Sequence, residues 1–205
     1  MSQKKRLALL LGLNLLMIVG LVVVGFAARS LGVLAAGGDY VADSAAILLG
    51  IIAVRVRDRA GEKSQATTFA ALVNASALVV VTVVVIVEAV RRLSGGAPTV
   101  DGLPVLIVSA VATLVMVSGA LILGRGAGSE DLHMRSVLLD TVSDALTSAA
   151  VAVTGGVIYL AHGLYWLDPA VAIVIGLVVG FGALRLLRDV VRALRTQTAL
   201  ELADD

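Results

Sequence analysis

The sequence predicts an all-α polytopic membrane protein, a bundle of six transmembrane helices with both termini in the cytoplasm. Of its 205 residues, 59% are hydrophobic and 15% are charged, and the mean hydropathy is +1.02. A soluble domain has about 25% charged residues, so a chain this apolar could not cover a water-facing surface. The chain has no cysteine, which excludes disulfides and thiolate metal sites. Its net charge of +1 provides no excess of positive charge that would bind nucleic acid.

Six stretches are apolar over the length of about 20 residues that a transmembrane helix needs. The first follows Lys4, Lys5 and Arg6 in the manner of a signal peptide. Its apolar run is longer than the roughly 7–15 residues of a signal-peptide core, so we interpret it as a retained helix. The valine runs do not alternate with polar residues as the strands of a membrane barrel would. The expected spans cover residues 7–28, 31–54, 66–90, 103–123, 136–161 and 169–187.

The distribution of Lys and Arg predicts the orientation, because cytoplasmic loops are enriched in these residues. With six spans, 13 of the 16 Lys and Arg fall on the side of the two termini. The other three, Arg29, Arg91 and Arg92, fall on the opposite side. The termini are therefore expected in the cytoplasm. We expect residues 1–195 to form the transmembrane domain and residues 196–205 to form a short polar tail.

Four acidic residues lie inside predicted spans, where a charge costs about 2.5–3.5 kcal/mol on insertion scales. Asp39 and Asp43 lie in the second span, and Asp140 and Asp144 lie in the fifth. Each pair is spaced i, i+4, so both of its carboxylates share one helix face. If the two antiparallel helices pack together, Asp39 is level with Asp144 and Asp43 with Asp140. No Lys or Arg lies at the same depth, so protons or a bound cation would have to offset the charge.

Two local alternatives remain open for these acids. The second helix could begin at Asp39, after a Gly-Gly pair, and the fifth could begin at Ala145, which would make the aspartates caps or loop residues. Asn14 and Asn74 lie in other spans, and they either donate hydrogen bonds to the residues that bind an ion or join neighbouring helices by hydrogen bonds.

Other polar residues favour structural interpretations. Glu88 and Arg92 are spaced for an i, i+4 ion pair, and Asp168 before Pro169 is typical of the N-cap of the sixth helix. His133 is either a solvated loop residue or a point of metal entry. The hydroxyl residues inside spans are expected to bond to carbonyls of their own helix; they are Ser109, Thr113, Ser118, Thr147 and Ser148.

The chain resembles the cation diffusion facilitator (cation efflux) family of six-span divalent-metal/proton exchangers. The resemblance depends on blocks in the order of that family, which cover nearly the whole chain: Leu34–Asp43, Phe69–Asn74, His133–Ser136 followed by the two later aspartates, and Tyr165–Ala170. It implies that Asp39, Asp43, Asp140 and Asp144 bind the transported ion, and that the protein is a homodimer.

The chain departs from the family pattern in three ways. Many members have histidine at the first position of one or both motifs, where this chain has aspartate. Members usually continue into a cytoplasmic metal-binding domain, and because the sequence stops at Asp205 we expect a short form without it. The cytoplasmic loop of members is often rich in histidine, whereas here it holds only His133.

The sequence therefore predicts a transporter of the cell membrane that exports a divalent metal by proton antiport. Because carboxylate oxygens suit Mn²⁺, we slightly favour Mn²⁺ as the transported metal, although Zn²⁺, Fe²⁺ and Co²⁺ fit as well. No cofactor other than the transported metal is expected, and the lipid bilayer is the surrounding partner. Metalloprotease and serine-hydrolase motifs are absent, so an enzyme is not expected. The alternative is a non-transporting membrane scaffold or assembly subunit with the same fold.

Overall fold

The computed structural model describes residues 3–60, 66–124 and 132–201, without certain side chains in these ranges, among them those of Asn14, Asp43 and Asp140. This part of the chain forms six helices. They are α1 (Gln3–Ala27), α2 (Leu31–Ala60), α3 (Ala66–Gly95), α4 (Gly102–Gly124), α5 (Leu132–Ala161) and α6 (Leu167–Glu201). The fold class predicted from the sequence is confirmed.

The apolar parts of these helices have the dimensions of membrane spans. Among the described residues, stretches of α3, α4, α5 and α6 are long and apolar enough to cross a bilayer. Among the described side chains, α1 and α2 contribute apolar stretches at Leu15–Ala27 and Leu31–Ala42. Several helices continue beyond the predicted spans, with α2 extending to Ala60, α5 starting at Leu132 and α6 ending at Glu201. Hydropathy marks the bilayer thickness, whereas helical hydrogen bonding continues into water where the sequence allows it.

Helix α2 has the most central position, because it packs against α1, α3, α5 and α6. The closest helix pairs are α4 with α5 and α3 with α6. The buried core consists mainly of small and medium apolar side chains, such as Leu21, Val33, Val105 and Val151. Large apolar side chains such as Phe26 and Phe181 face outward, as expected for helices that contact lipid.

Glycines allow the close approach within both helix pairs. A Cβ atom on Gly155 of α5 would lie 2.6 Å from the backbone nitrogen of Leu106 in α4. In α6, Gly176 and Gly180 are spaced as in Gly-x-x-x-Gly, and a Cβ on either would lie 2.9 Å from a side chain of α3. Small residues at such interfaces maximise packing between helices where lipid provides no hydrophobic driving force.

Replacing Gly155 with alanine is expected to destabilise the protein by about 1–3 kcal/mol, because the added methyl group would collide with backbone of α4. The adjacent Gly156 is a matched control, since its Cβ would lie 3.6 Å from a Leu106 methyl, an ordinary contact. Gly156→Ala should be neutral or stabilising, by up to about 1 kcal/mol from helix propensity. Thermal unfolding of both variants in the same detergent measures the difference; equal melting temperatures would contradict the packing of α4 on α5.

The outer end of α2 is capped by two side chains, one of which belongs to another helix. Ser30 Oγ accepts a hydrogen bond from Val33 N at 3.1 Å, as an N-cap residue does. The Asp168 carboxylate accepts from Leu31 N at 2.6 Å and Gly32 N at 3.2 Å, and the Ser30 hydroxyl donates to it at 2.5 Å.

The prediction that Asp168 is the N-cap of the sixth helix is therefore wrong. Helix α6 already begins at Leu167, so Asp168 lies in its first turn. Its carboxylate, fully buried, stabilises the N-terminus of α2 instead. The N–H groups and dipole at that helix end favour a negative charge, and the pairing depends on tertiary contact rather than sequence neighbours.

Of the remaining predictions for polar residues, one is confirmed and one is wrong in part. The Glu88–Arg92 ion pair is confirmed, with Arg92 Nε 3.1 Å from Glu88 Oε1. Two hydroxyls of α4, those of Thr113 and Ser118, bond to carbonyls one turn earlier at 2.8 and 2.7 Å, as predicted. The prediction is wrong for Ser109, whose buried hydroxyl has no hydrogen-bond partner in the described part of the chain.

Candidate functional site

The four acidic residues lie well inside helices. Helix α2 begins eight residues before Asp39, and α5 begins eight residues before Asp140. The alternatives in which α2 starts at Asp39 or α5 at Ala145 are therefore wrong, and none of the four aspartates is a helix cap. The side chains of Asp43 and Asp140 lie outside the described residues, although both positions are helical.

The register between α2 and α5 follows from a close contact near their outer ends. A Cβ on Gly32 would lie 3.6 and 3.7 Å from the two methyl carbons of Val151, so these residues face each other. Asp39 follows Gly32 by seven residues, and Asp144 precedes Val151 by seven. Seven residues are two helical turns, or about 10.5 Å, and return to nearly the same face.

Because α2 and α5 are antiparallel neighbours, this displacement puts the backbone positions of Asp39 and Asp144 at the same level, on the faces defined by the contact. Asp43 follows Asp39 by four residues and Asp140 precedes Asp144 by four, so both positions lie about one turn further toward the cytoplasm. The levels agree with those expected from the sequence for two antiparallel i, i+4 pairs. Binding of an ion by these four residues remains a prediction.

The two described acids differ in their surroundings. Asp144 is buried, with 9% of its surface exposed. Asp39 is partly exposed and lines a narrow cleft where α2 meets α3 and α6. Most of the cleft is apolar, with Val81 and Ile175 in its walls, and Thr82 contributes a second polar side chain. Asp39 therefore lies at the junction of three helices.

A hydrogen bond between side chains joins α2 to α5 beside the acidic positions. Tyr40 Oη and Ser148 Oγ are 2.9 Å apart, and each residue is only 1% exposed. Tyr40 directly follows Asp39, and Ser148 lies one turn after Asp144. The prediction that Ser148 bonds within its own helix missed this contact. The available signal was Tyr40 itself, because a phenol inside an apolar span requires a polar partner.

The other predicted site residues are two asparagines and a histidine. Asn74 is buried on α3, and the side chains of Asn14 and His133 lie outside the described residues. Within the described residues, no three His, Cys, Asp or Glu side chains form a group that could hold a metal. Two of the four predicted ligands, Asp43 and Asp140, lie outside that set.

These features define a class of protein: an integral membrane protein in which two neighbouring antiparallel helices each carry a pair of aspartates within an apolar span. Carboxylates at such a position are typical of proteins that move cations. The chain belongs to the cation efflux family, since the cation efflux transmembrane domain matches residues 7–195. The family resemblance inferred from the sequence is confirmed.

Characterised relatives share about a quarter to a third of the aligned residues. The chain is 29% identical over 194 residues to the zinc transporter ZitB of Yersinia pestis, covering 92% of this chain and 62% of that protein. It is 32% identical over 179 residues to ZitB of Escherichia coli strain K12, covering 84% and 56%. It is 25% identical over 178 residues to the cadmium, cobalt and zinc/H(+)-K(+) antiporter of Bacillus subtilis strain 168, covering 82% and 57%.

The chain thus spans 62% or less of the length of these three relatives. Their names describe transporters and an antiporter, in agreement with the expectation that this protein is not an enzyme. Zinc, cadmium and cobalt occur in those names, and manganese, slightly preferred from the sequence, does not.

Proposed function

We propose that this protein exports a divalent metal cation from the cytoplasm, with Zn²⁺ as the principal substrate and Cd²⁺ and Co²⁺ as further ones. The observation that carries the proposal is the contact of Gly32 with Val151, from which helix geometry assigns Asp39 and Asp144 to the same level of α2 and α5. Relatives named as zinc, cadmium and cobalt transporters support the choice of metals. Zn²⁺ also accepts carboxylate oxygen ligands in tetrahedral geometry.

The proposed site consists of Asp39, Asp43, Asp140 and Asp144, which supply oxygen ligands to the transported ion. Four ionised carboxylates around a dication leave an excess charge of −2, and this excess is costly in a bilayer. Protonation of some of these groups offsets it. Asn74 of α3 and Asn14 of α1 are proposed to provide outer hydrogen bonds to the site.

Proton coupling follows from competition for the same oxygens. A metal ligand must be deprotonated, so metal affinity falls as the proton concentration at the site rises. When the site opens to a more acidic exterior, protons displace the metal. When it opens to the cytoplasm, the carboxylates lose protons and accept a new ion. We propose that this alternation occurs in the cell membrane and that the protein works as a homodimer.

Flux in proteoliposomes tests the function directly. We expect purified protein to carry Zn²⁺, Cd²⁺ and Co²⁺ across the membrane, and an opposing proton gradient to accelerate the flux. Parallel samples with Mn²⁺ and Fe²⁺ test whether a site of carboxylate oxygens prefers these metals to Zn²⁺. Folded protein that carries none of the five metals under any gradient would contradict the proposal and favour the membrane scaffold.

A further inference from the structure

The hydrogen bond between Tyr40 and Ser148 lies on the outer side of the acidic level. Ser148 follows Asp144 by one turn, which is about 6 Å toward the outer end of α5. Side chains in a helix lean toward its N-terminus, and the N-terminus of α2 is its outer end. The phenol of Tyr40 therefore reaches outward from its backbone position to meet Ser148.

This bond crosses the interface between the two helices that carry the proposed site. Tyr40 and Ser148 are each 1% exposed, so neither residue lines a path open to solvent. Further outward, Gly32 lies against Val151, and the N-terminus of α2 is held by Asp168. An ion leaving the acidic level between α2 and α5 toward the outside would meet the Tyr40–Ser148 bond first.

We propose that Tyr40 and Ser148 form the outer gate of the ion path between α2 and α5, and that their hydrogen bond must break before the site opens to the outside. This inference rests on the proposed function, because it assigns a pathway to the same acidic residues. A tyrosine suits the role: its ring fills the interface, and its hydroxyl joins the two helices by a single bond that opening would exchange for bonds to water.

Because the chain has no cysteine, one introduced thiol can report access to the site. Thr141 is buried and precedes Ser148 by seven residues, so it lies on the same face of α5 two turns toward the cytoplasm. In the Thr141→Cys protein, a membrane-impermeant thiol reagent added to the outside of right-side-out vesicles must pass the gate to react. The labelling rate therefore measures how often the gate is open.

Removing the bond should raise that labelling rate. Loss of the net contribution of one hydrogen bond is expected to increase the open fraction by about two- to tenfold. Tyr40→Phe keeps the ring and loses only the hydroxyl, and Ser148→Ala removes the other partner. We expect each variant to label faster by a similar factor, and the double variant to exceed neither single variant substantially, because all three lack the same bond.

A matched control separates gating from general loosening of α5. The Thr154 hydroxyl bonds to the Ala150 carbonyl within α5 at 2.9 Å, so Thr154→Val removes a hydrogen bond that does not join the two helices. We expect its labelling rate to match that of the parent. Unchanged rates in both Tyr40→Phe and Ser148→Ala would overturn the gate, as would an equal increase in Thr154→Val. Labelling is read without metal, so failure of the gate is distinguishable from absence of metal flux.

Discussion

Replacing Asp144 with asparagine is expected to reduce metal flux by more than about 100-fold. Loss of a group that only hydrogen-bonds to a metal ligand typically lowers metal affinity or activity about 10- to 100-fold, and Asp144 is proposed to be a ligand itself. Asparagine has nearly the same size, so the packing of this buried residue is preserved. It lacks the negative charge that attracts a dication and offers only one weaker oxygen ligand. Zn²⁺ flux into proteoliposomes and calorimetric Zn²⁺ binding in detergent measure the loss.

The control for this variant is an exposed acid on α6, a helix that contributes none of the proposed ligands. Asp189 is exposed near the cytoplasmic end of α6, and Asp189→Asn should retain the parental flux. Asp39→Asn should lose binding as Asp144→Asn does, because the two positions lie at the same level of α2 and α5. Undiminished flux in Asp144→Asn would remove this residue from the site.

Replacing Asp168 with alanine is expected to lower the free energy of unfolding by about 3 kcal/mol or more, because hydrogen bonds to a charged group contribute about 1.5–3 kcal/mol each. Three donors would lose their acceptor: the Ser30 hydroxyl and the backbone N–H groups of Leu31 and Gly32. These groups are buried, so water cannot readily replace the carboxylate. For a protein of this size, the melting temperature should fall by about 6–12 °C.

Thermal unfolding monitored by circular dichroism in a fixed detergent measures this effect. Asp168→Asn should be intermediate, since its amide oxygen still accepts hydrogen bonds but carries no charge for the N-terminus of α2. Asp101, an exposed acid just before α4, provides the control, and Asp101→Asn should melt within about 1–2 °C of the parent, as surface substitutions usually do. A melting temperature of Asp168→Ala equal to that of the parent would contradict a stabilising role for the cap.

Much of the fold could be predicted from the sequence because the bilayer imposes a local requirement. Each span must be helical and apolar over a fixed length, and Lys and Arg mark the cytoplasmic side. The Glu88–Arg92 pair was equally predictable, since its partners are one turn apart in α3. The acidic residues of α2 and α5 were identifiable for the same reason: a charge is conspicuous in an apolar span.

The helix extents were less predictable, because hydropathy cannot distinguish a polar helical extension from a loop. Helix α6 continues beyond Leu187, where the apolar pattern ends, to Glu201. Its additional turns satisfy the backbone by intrahelical hydrogen bonds, which depend little on whether side chains face lipid or water.

By itself the sequence determined the class of protein, predicted the orientation of its termini and identified the four acidic candidates, because each is a property of one segment in a bilayer. The tertiary structure alone decided which helix ends and faces meet. It put the backbone positions of Asp39 and Asp144 at one level, gave the cap of α2 to Asp168, and joined Tyr40 to Ser148. These contacts link residues far apart in the chain, and their geometry depends on how closely glycines let the helices approach and on how the helices are rotated.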